Sequence, residues 1–461
     1  MSTYSPDERK KFTHPNSFMD LREPAPDELS LLLIWPYGAV GAESIPMCMS
    51  FLAPKILDMR IPVTILDCSL HSVHPNSIAL SQWLTRFRLD VIGISAWSQN
   101  WRWVNMLIDS IRDILPNIPI VVGGPHVTAT GNWGNADYAL MGEAEYTFPM
   151  LINALFDSSQ RDKLNTIPGL RGPNLQNTAA PALVSDLDAL GLPLYSAMFL
   201  SQYQQAGYRY RDGKRNQAPI LATRGCPYIC SFCEAPLLSG RKIRKHSIPY
   251  LQDLLHHLRV DYDVTHINIV DDNFTFYKDY AKEFCKMVLS NQDKFSGMTF
   301  ATPNGIRVER SDLEMFEMLG AAGWSSVIFA PESGSQRMVD IMAKHLDLSV
   351  VADRVEKAHQ AGLEVEAFFI LNYPGETEED VNQTEHFIAT VPFDSVSLHI
   401  FKPLPHTPIW RELVDSGKLA PDYIIGRYDE IDWLANGRTR ADIAKHIIRY
   451  QSAAKRIERI A

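Results

Sequence analysis

Three cysteines stand within eight residues, Cys226-Pro-Tyr-Ile-Cys230-Ser-Phe-Cys233, in a chain with only six. Thiolates are the ligands of iron–sulfur clusters, and a short loop can wrap three of them around one cluster. A structural zinc site normally takes four protein ligands, and no His or fourth Cys stands at suitable spacing. Three unrelated buried cysteines are the plainer alternative. A cluster on three cysteines leaves one iron open, and that iron can chelate a small molecule through adjacent amino and carboxylate groups. Cys48, Cys68 and Cys285 are scattered and offer no second cluster; Cys285 lies in a helical pattern and reads as a small buried hydrophobe.

The loop follows a strand candidate, Pro219 to Ala222, which opens a series of apolar runs alternating with helical patterns. Further strands are expected at 266–270, 298–301, 326–330, 365–371 and 395–401, with helices at 249–259, 278–289, 312–319, 336–343, 350–361 and 378–389. Ser311 with Glu314 forms a capping-box pattern. Six β/α units are too few for a closed eight-fold barrel, so an open six-unit barrel is expected. Before it, strands at 31–35, 63–66, 91–95, 118–122 and 137–141, with helices at 45–59 and 104–115, indicate a doubly wound, Rossmann-like α/β domain. The expected organisation is a polar lead-in over 1–28, the doubly wound domain over 29–163, a connector over 164–216, the partial barrel over 217–410 and a short, polar helical region over 411–461.

The cysteine spacing and the turns that follow it resemble the radical S-adenosylmethionine (SAM) superfamily from Ala218 to about Trp410. In that family SAM binds the open iron through its methionine end. Phe232 stands where the family has an aromatic residue whose backbone touches the adenine. Asp271-Asp272-Asn273-Phe274 ends the second strand, Asn304-Gly305-Ile306-Arg307 follows the third, Glu332-Ser333-Gly334 the fourth and Pro374-Gly375-Glu376-Thr377 the fifth. The resemblance implies SAM contacts at Phe232, Asp271, Asp272, Asn304, Arg307, Glu332, Ser333 and Glu376. Each turn also has a plainer reading as a turn or helix cap. Asn372-Tyr373 replaces a glycine–aromatic pair of the family, and Ala330-Pro331 replaces a glycine-containing pair.

The first domain is similar to the cobalamin-binding domain that precedes many radical SAM domains. The matching residues are Ile94-Ser95-Ala96, Val122-Gly123-Gly124-Pro125-His126 and Gly142-Glu143-Ala144-Glu145. They imply cobalamin contacts at Tyr37, Ser95, Ala96, Gly123, Gly124, Gly142 and Glu143. Tight strand–helix packing is the alternative for the glycines. The loop at 36–43 lacks Asp-x-His-x-x-Gly, so no histidine from it ligates cobalt. Trp97, Trp101 and Trp103 follow the third strand, close enough to contact a corrin or to form an aromatic cluster of their own.

Together the two domains imply a 4Fe–4S cluster, SAM and cobalamin, with a 5′-deoxyadenosyl radical generated by reductive cleavage of SAM. The expected outcome is transfer of a methyl group from methylcobalamin to an unactivated carbon of a small-molecule or lipid-like substrate. Ring formation or rearrangement without methyl transfer is one alternative, and a cluster-containing regulatory protein without turnover is another. An electron donor such as flavodoxin or ferredoxin is implied. The net charge, 44 − 54 = −10, gives no footprint for a nucleic-acid backbone. No apolar run reaches the ~18 residues of a membrane span, no signal-peptide core opens the chain, and a reducing cytoplasm is expected from the sparse cysteines.

Overall fold

The computed structural model describes residues 25, 28–37, 45–176, 179–198, 200–205, 216–427 and 430–457. Most of the polar lead-in, the loop residues 38–44 and parts of the connector lie outside the described residues. Two compact units result: one comprises 1–208 with 237–240 and 413–430, the other 209–236, 241–412 and 431–461.

In the first unit, β1 (Leu31–Trp35), β2 (Val63–Asp67) and β3 (Val91–Ser95) are buried along their whole length. Such runs suit a parallel sheet covered on both faces. With β4 (Ile120–Gly123), β5 (Tyr138–Leu140) and β6 (Leu170–Arg171), they form a sheet ordered β2-β1-β3-β4-β5-β6. Only the β5–β6 pair is antiparallel. The first five strands thus follow the flavodoxin-like order, whose ligand crevice lies at the carboxyl ends where β1 meets β3. Helices α1 (Met47–Leu57), α2 (Ile78–Thr85), α3 (Trp101–Ile114), α4 (Pro125–Thr130) and α5 (Thr147–Phe156) connect or flank the strands. The connector contributes β6. Its helix Leu200–Gln205 is pinned to the end of β2 by a hydrogen bond from the Tyr203 hydroxyl to Asp67.

The second unit holds β7 (Gln217–Ile220), β8 (His266–Ile269), β9 (Thr299–Ala301), β10 (Ser326–Glu332), β11 (Glu364–Leu371) and β12 (Ser395–Ile400). They form two parallel three-stranded sheets, joined by parallel bridges at Phe300–Trp324 and Ile306–Phe329. The six strands therefore lie side by side in chain order, and no ladder joins β7 to β12 among the described residues. This is the open β/α layout. Along β11, Val365, Ala367, Phe369 and Leu371 are buried while Glu366, Phe368 and Ile370 are half-exposed. Only one face is fully packed, so the strand alternates instead of reading as one apolar run.

Helices α6 (Ile248–Tyr262), α7 (Lys278–Ser290), α8 (Leu313–Ala322), α9 (Gln336–Ile341), α10 (Val351–Gln360) and α11 (Glu378–Thr390) alternate with the strands. The α8 cap differs from the expected box. Asp312, one residue later, accepts Met315 N–H at 3.0 Å, while the Ser311 hydroxyl donates to the Arg307 carbonyl. A carboxylate in that place satisfies an orphan N–H and complements the helix dipole. Helix α12 (Arg440–Ile457) packs on α11, where Arg449 reaches Glu378 and Glu385.

Candidate functional site

The cysteine loop lies at the carboxyl end of β7, and the ends of β8, β9 and β11 together with the segment after α9 reach it. Asn273, after β8, donates its side chain to Cys226. Arg307, after β9, brings Nη1 to 4.0 Å from Cys230 Sγ. Lys344, beyond β10 and α9, sits with Nζ 5.9 Å from the Phe232 ring and 2.8 Å from Glu332 Oε1. Tyr373, after β11, shares a 2.7 Å hydrogen bond between its hydroxyl and Ser231 Oγ. Ser231 N–H also donates to the Met342 carbonyl, and its own carbonyl accepts Ile409 N–H. The loop is thereby fixed between its second and third cysteines.

Each thiol has a donor: the Asn273 side chain and Tyr228 backbone at Cys226, Arg307 at Cys230, and Ala235 N–H at 3.4 Å from Cys233 Sγ. Burial pushes the Cys233 thiol up to about 12 and raises Cys226, and the neighbouring thiols and Asp272 add to both. Among the described residues no three His, Cys, Asp or Glu side chains converge on one metal ion. A cluster spreads its thiolates over separate irons, so it does not require that convergence. The donor set therefore fits a cluster: thiolates there are stabilised by surrounding hydrogen bonds, and iron supplies the charge that deprotonates them.

The residues expected to contact SAM are not placed alike. Phe232 is half-buried in the loop, and Glu332 is paired with Lys344 at the end of β10. Glu332 has φ 70°, a conformation costing ~1–3 kcal/mol for such a residue and typical of ligand sites. Asp272 is exposed beside the loop, while Asp271 is fully buried, accepting Ala222 N–H and the Thr223 hydroxyl. Burial pushes the Asp271 carboxyl up to about 8. Asn304 donates to the carbonyls of Val270 and Asp271 and so staples the β9 turn to β8. Ser333 Oγ accepts the N–H of Ser335, the residue that caps α9, and bonds Thr384. Glu376 is turned to the carboxyl-terminal segment, where Arg438 pairs with it, and accepts Asn372 N–H.

One of the two departures from the family turns, at Asn372, acquires a local reason. Asn372 has φ 64°, the left-handed region where glycine is usual and asparagine is tolerated. Its amide donates to the Trp433 carbonyl and accepts Ala435 N–H. Sequence reasoning missed Asn273, Ser231, Lys344, Tyr373 and Arg438 in these roles. Asn273 and Tyr373 stand in turns already singled out and Ser231 lies inside the cysteine loop; for Lys344 and Arg438 no local pattern signals a role.

In the first unit, every residue expected to meet cobalamin lies at the carboxyl end of a strand. Gly124 has φ 95°, and a Cβ there would stand 2.8 Å from the Ala96 carbonyl oxygen, so packing alone requires glycine. Gly142 backs onto Pro181 and Ala182, and the Glu143 side chain accepts Val184 N–H. Gly123 is less confined, its nearest atom at 3.4 Å being the Leu140 carbonyl oxygen. Ser95 Oγ lies 3.9 Å from Cys48 Sγ. Beside the β1–β3 crevice, Tyr37 contacts His74 and Trp103, Trp35 meets Trp97, and Trp101 stacks on His126. Here Trp97 Nε1 and Asn100 Nδ2 are buried donors without a partner. Native structures rarely leave such groups unpaired, and a corrin rich in amide acceptors would fit them. Tyr37 is the last described residue of its loop; the remainder, 38–43, lies outside the described residues.

Comparison with known proteins follows this division. The B12 binding domain signature matches residues 47–152 and the Radical SAM superfamily signature residues 220–388. An uncharacterized methyltransferase of Pyrococcus horikoshii is 26% identical over 82% of this chain and 81% of its own. The cytidylyl-2-hydroxyethylphosphonate methyltransferase of Streptomyces wedmorensis is 26% identical over 74% of this chain and 69% of its own. The radical SAM methyltransferase TsrM from Kitasatospora setae, solved with cobalamin and a 4Fe–4S cluster bound, superposes with TM-score 0.71 at 16% identity. That match covers 88% of this chain and 83% of TsrM, and it shows a common fold.

Proposed function

Because the chain belongs to the radical SAM superfamily and carries a B12-binding domain ahead of its radical SAM domain, we propose that it is a methyltransferase acting on an unactivated carbon of a small-molecule or lipid-like substrate. The observation that carries this reading is the cysteine loop, met by three strand ends and the segment after α9 and preceded by a flavodoxin-order domain with unpaired donors at its crevice. When bound, the cluster with SAM supplies a 5′-deoxyadenosyl radical and cobalamin supplies the methyl group.

The chain's own part is to hold, orient and exclude water. Cys226, Cys230 and Cys233 would hold the cluster as thiolates, with SAM bound beside it. Phe232 presents its backbone to the adenine, and Glu332 with Lys344 flanks the same loop end. Trp97 and Asn100 would offer hydrogen bonds to the corrin side chains, beside the aromatic rings of Trp35, Tyr37 and Trp103. The two similar methyltransferases support methyl transfer over ring formation. A flavodoxin or ferredoxin would deliver the electron. All six cysteines are free thiols, as a cytoplasmic protein would keep them, and no described helix is long and apolar enough to cross a membrane.

The test is turnover of candidate substrates with SAM labelled at its methyl group, under strict anaerobiosis and with reductant. Product carrying the label is expected. Turnover that releases 5′-deoxyadenosine but yields unlabelled product would sink methyl transfer and favour ring formation or rearrangement.

A further inference from the structure

Reduction adds one negative charge to a cluster already ringed by thiolates, in a site largely withdrawn from water. Fixed positive charge and hydrogen bonds to the sulfurs make that electron easier to accept. One cation in the site is held on every side. The Arg307 guanidinium gives Nε to Glu309 at 2.5 Å and Nη2 to the Lys344 carbonyl at 2.6 Å. Its face lies 3.8 Å from the centroid of Tyr228, a residue of the cysteine loop itself. The remaining edge, Nη1, points at Cys230 Sγ. Arg307 is 8% exposed, so solvent screens it little. A planar fork with three edges and one face engaged has no rotamer freedom left to lose.

We propose that Arg307 sets the reduction potential of the cluster through Cys230, with Glu309 as the opposing charge that moderates it. This rests on the reading of the three cysteines as cluster ligands. Arg307 is thus a positioning residue for electron entry: it acts on the cluster through a ligand, whatever it also offers SAM. Glu309 lies on the far side of the guanidinium, where its Oε2 is buried without a hydrogen bond. Its charge opposes that of Arg307 at close range.

The two residues should move the potential in opposite directions. Anaerobically reconstituted full-length protein and its R307Q, R307K and E309Q variants would be titrated with mediators, following the reduced cluster by electron paramagnetic resonance. R307Q should lower the reduction equilibrium by at least tenfold, ~59 mV for one electron. R307K, which keeps the charge but not the fork, should fall between it and the parent. E309Q should shift the other way. Midpoints that stay put in variants retaining full iron would overturn the proposal. So would loss of the cluster from both Arg307 variants, which would assign the residue to folding alone. C226A, C230A and C233A separate the underlying reading: if they keep a full cluster, the ligand assignment fails, irrespective of Arg307.

Discussion

At the Cys226 loop the physical problem is to keep thiols protonated without metal and to release their protons when iron binds. Burial resolves the first half by raising Cys226 and carrying Cys233 to about 12. The consequence is linkage: loading expels protons, so cluster assembly should weaken as pH falls. Iron retained after reconstitution should drop steadily from pH 8.5 to 6.5, and a flat profile would contradict raised thiols. Tyr373 gives a second expectation. Y373F removes the hydroxyl that bonds Ser231, which should cost ~1 kcal/mol of stability in denaturant unfolding and leave iron content unchanged. The cysteines were legible because their signal is local, three rare residues in one loop. Arg307 was noted for SAM, yet its guanidinium turns to Cys230 because Glu309, Lys344 and Tyr228 hold it there. Glu309 is two residues away, but Tyr228 and Lys344 come from separated stretches of chain, and no spacing rule joins them to Arg307.

Among the elements, the α11 start and the carboxyl-terminal segment show what holds the strand ends still. Asp380 accepts Ser335 Oγ at 2.6 Å and Thr377 N–H at 2.8 Å, and pairs with Arg337. Burial pushes its carboxyl up, but the bonds from Arg337, Ser335 and Thr377 outweigh that and hold it well below the usual range. A depressed folded pKa contributes stability that is present above the unfolded value, ~3.9, and lost as pH falls below it. D380N should therefore cost ~2–4 kcal/mol at pH 7 and flatten the acid limb of the stability profile. Arg438 is the sharper case. Glu376 is buried against it, and removing the guanidinium would strand a carboxylate. R438A should cost ~3–5 kcal/mol, with E376Q added to it recovering part. The helices and strands read from apolar periodicity fall within a few residues of their places, but α2, α4 and α5 of the first unit were not read. The Arg438–Glu376 clamp was not legible, because 62 residues separate the partners. Nor was β6, a two-residue antiparallel strand inside the connector.

Across the whole chain, the order of domains is what ties the residues to a reaction. Two α/β series can be read from where apolar runs and turn residues fall, but their strand orders, 2-1-3-4-5 and six in sequence, come from the pairing of the folded strands. What the turns hold is less legible: Gly124 and Gly142 are glycines because neighbouring backbone leaves no room for a Cβ, whatever ligand lies beyond. Of the donors that await one, Trp97 is marked by its place after the third strand, while Asn100 carries no signal in the sequence. The central claim is that this chain moves a methyl group from SAM by way of cobalamin, and it can be tested before the substrate is known. Anaerobically reconstituted protein, loaded with iron and cobalamin, would be reduced and incubated with methyl-labelled SAM, and the cobalamin then recovered for mass spectrometry. Labelled methyl on the recovered cobalamin, absent when SAM is omitted, is the expected result. Cobalamin that stays unlabelled on a protein with full iron and bound cobalamin would contradict it.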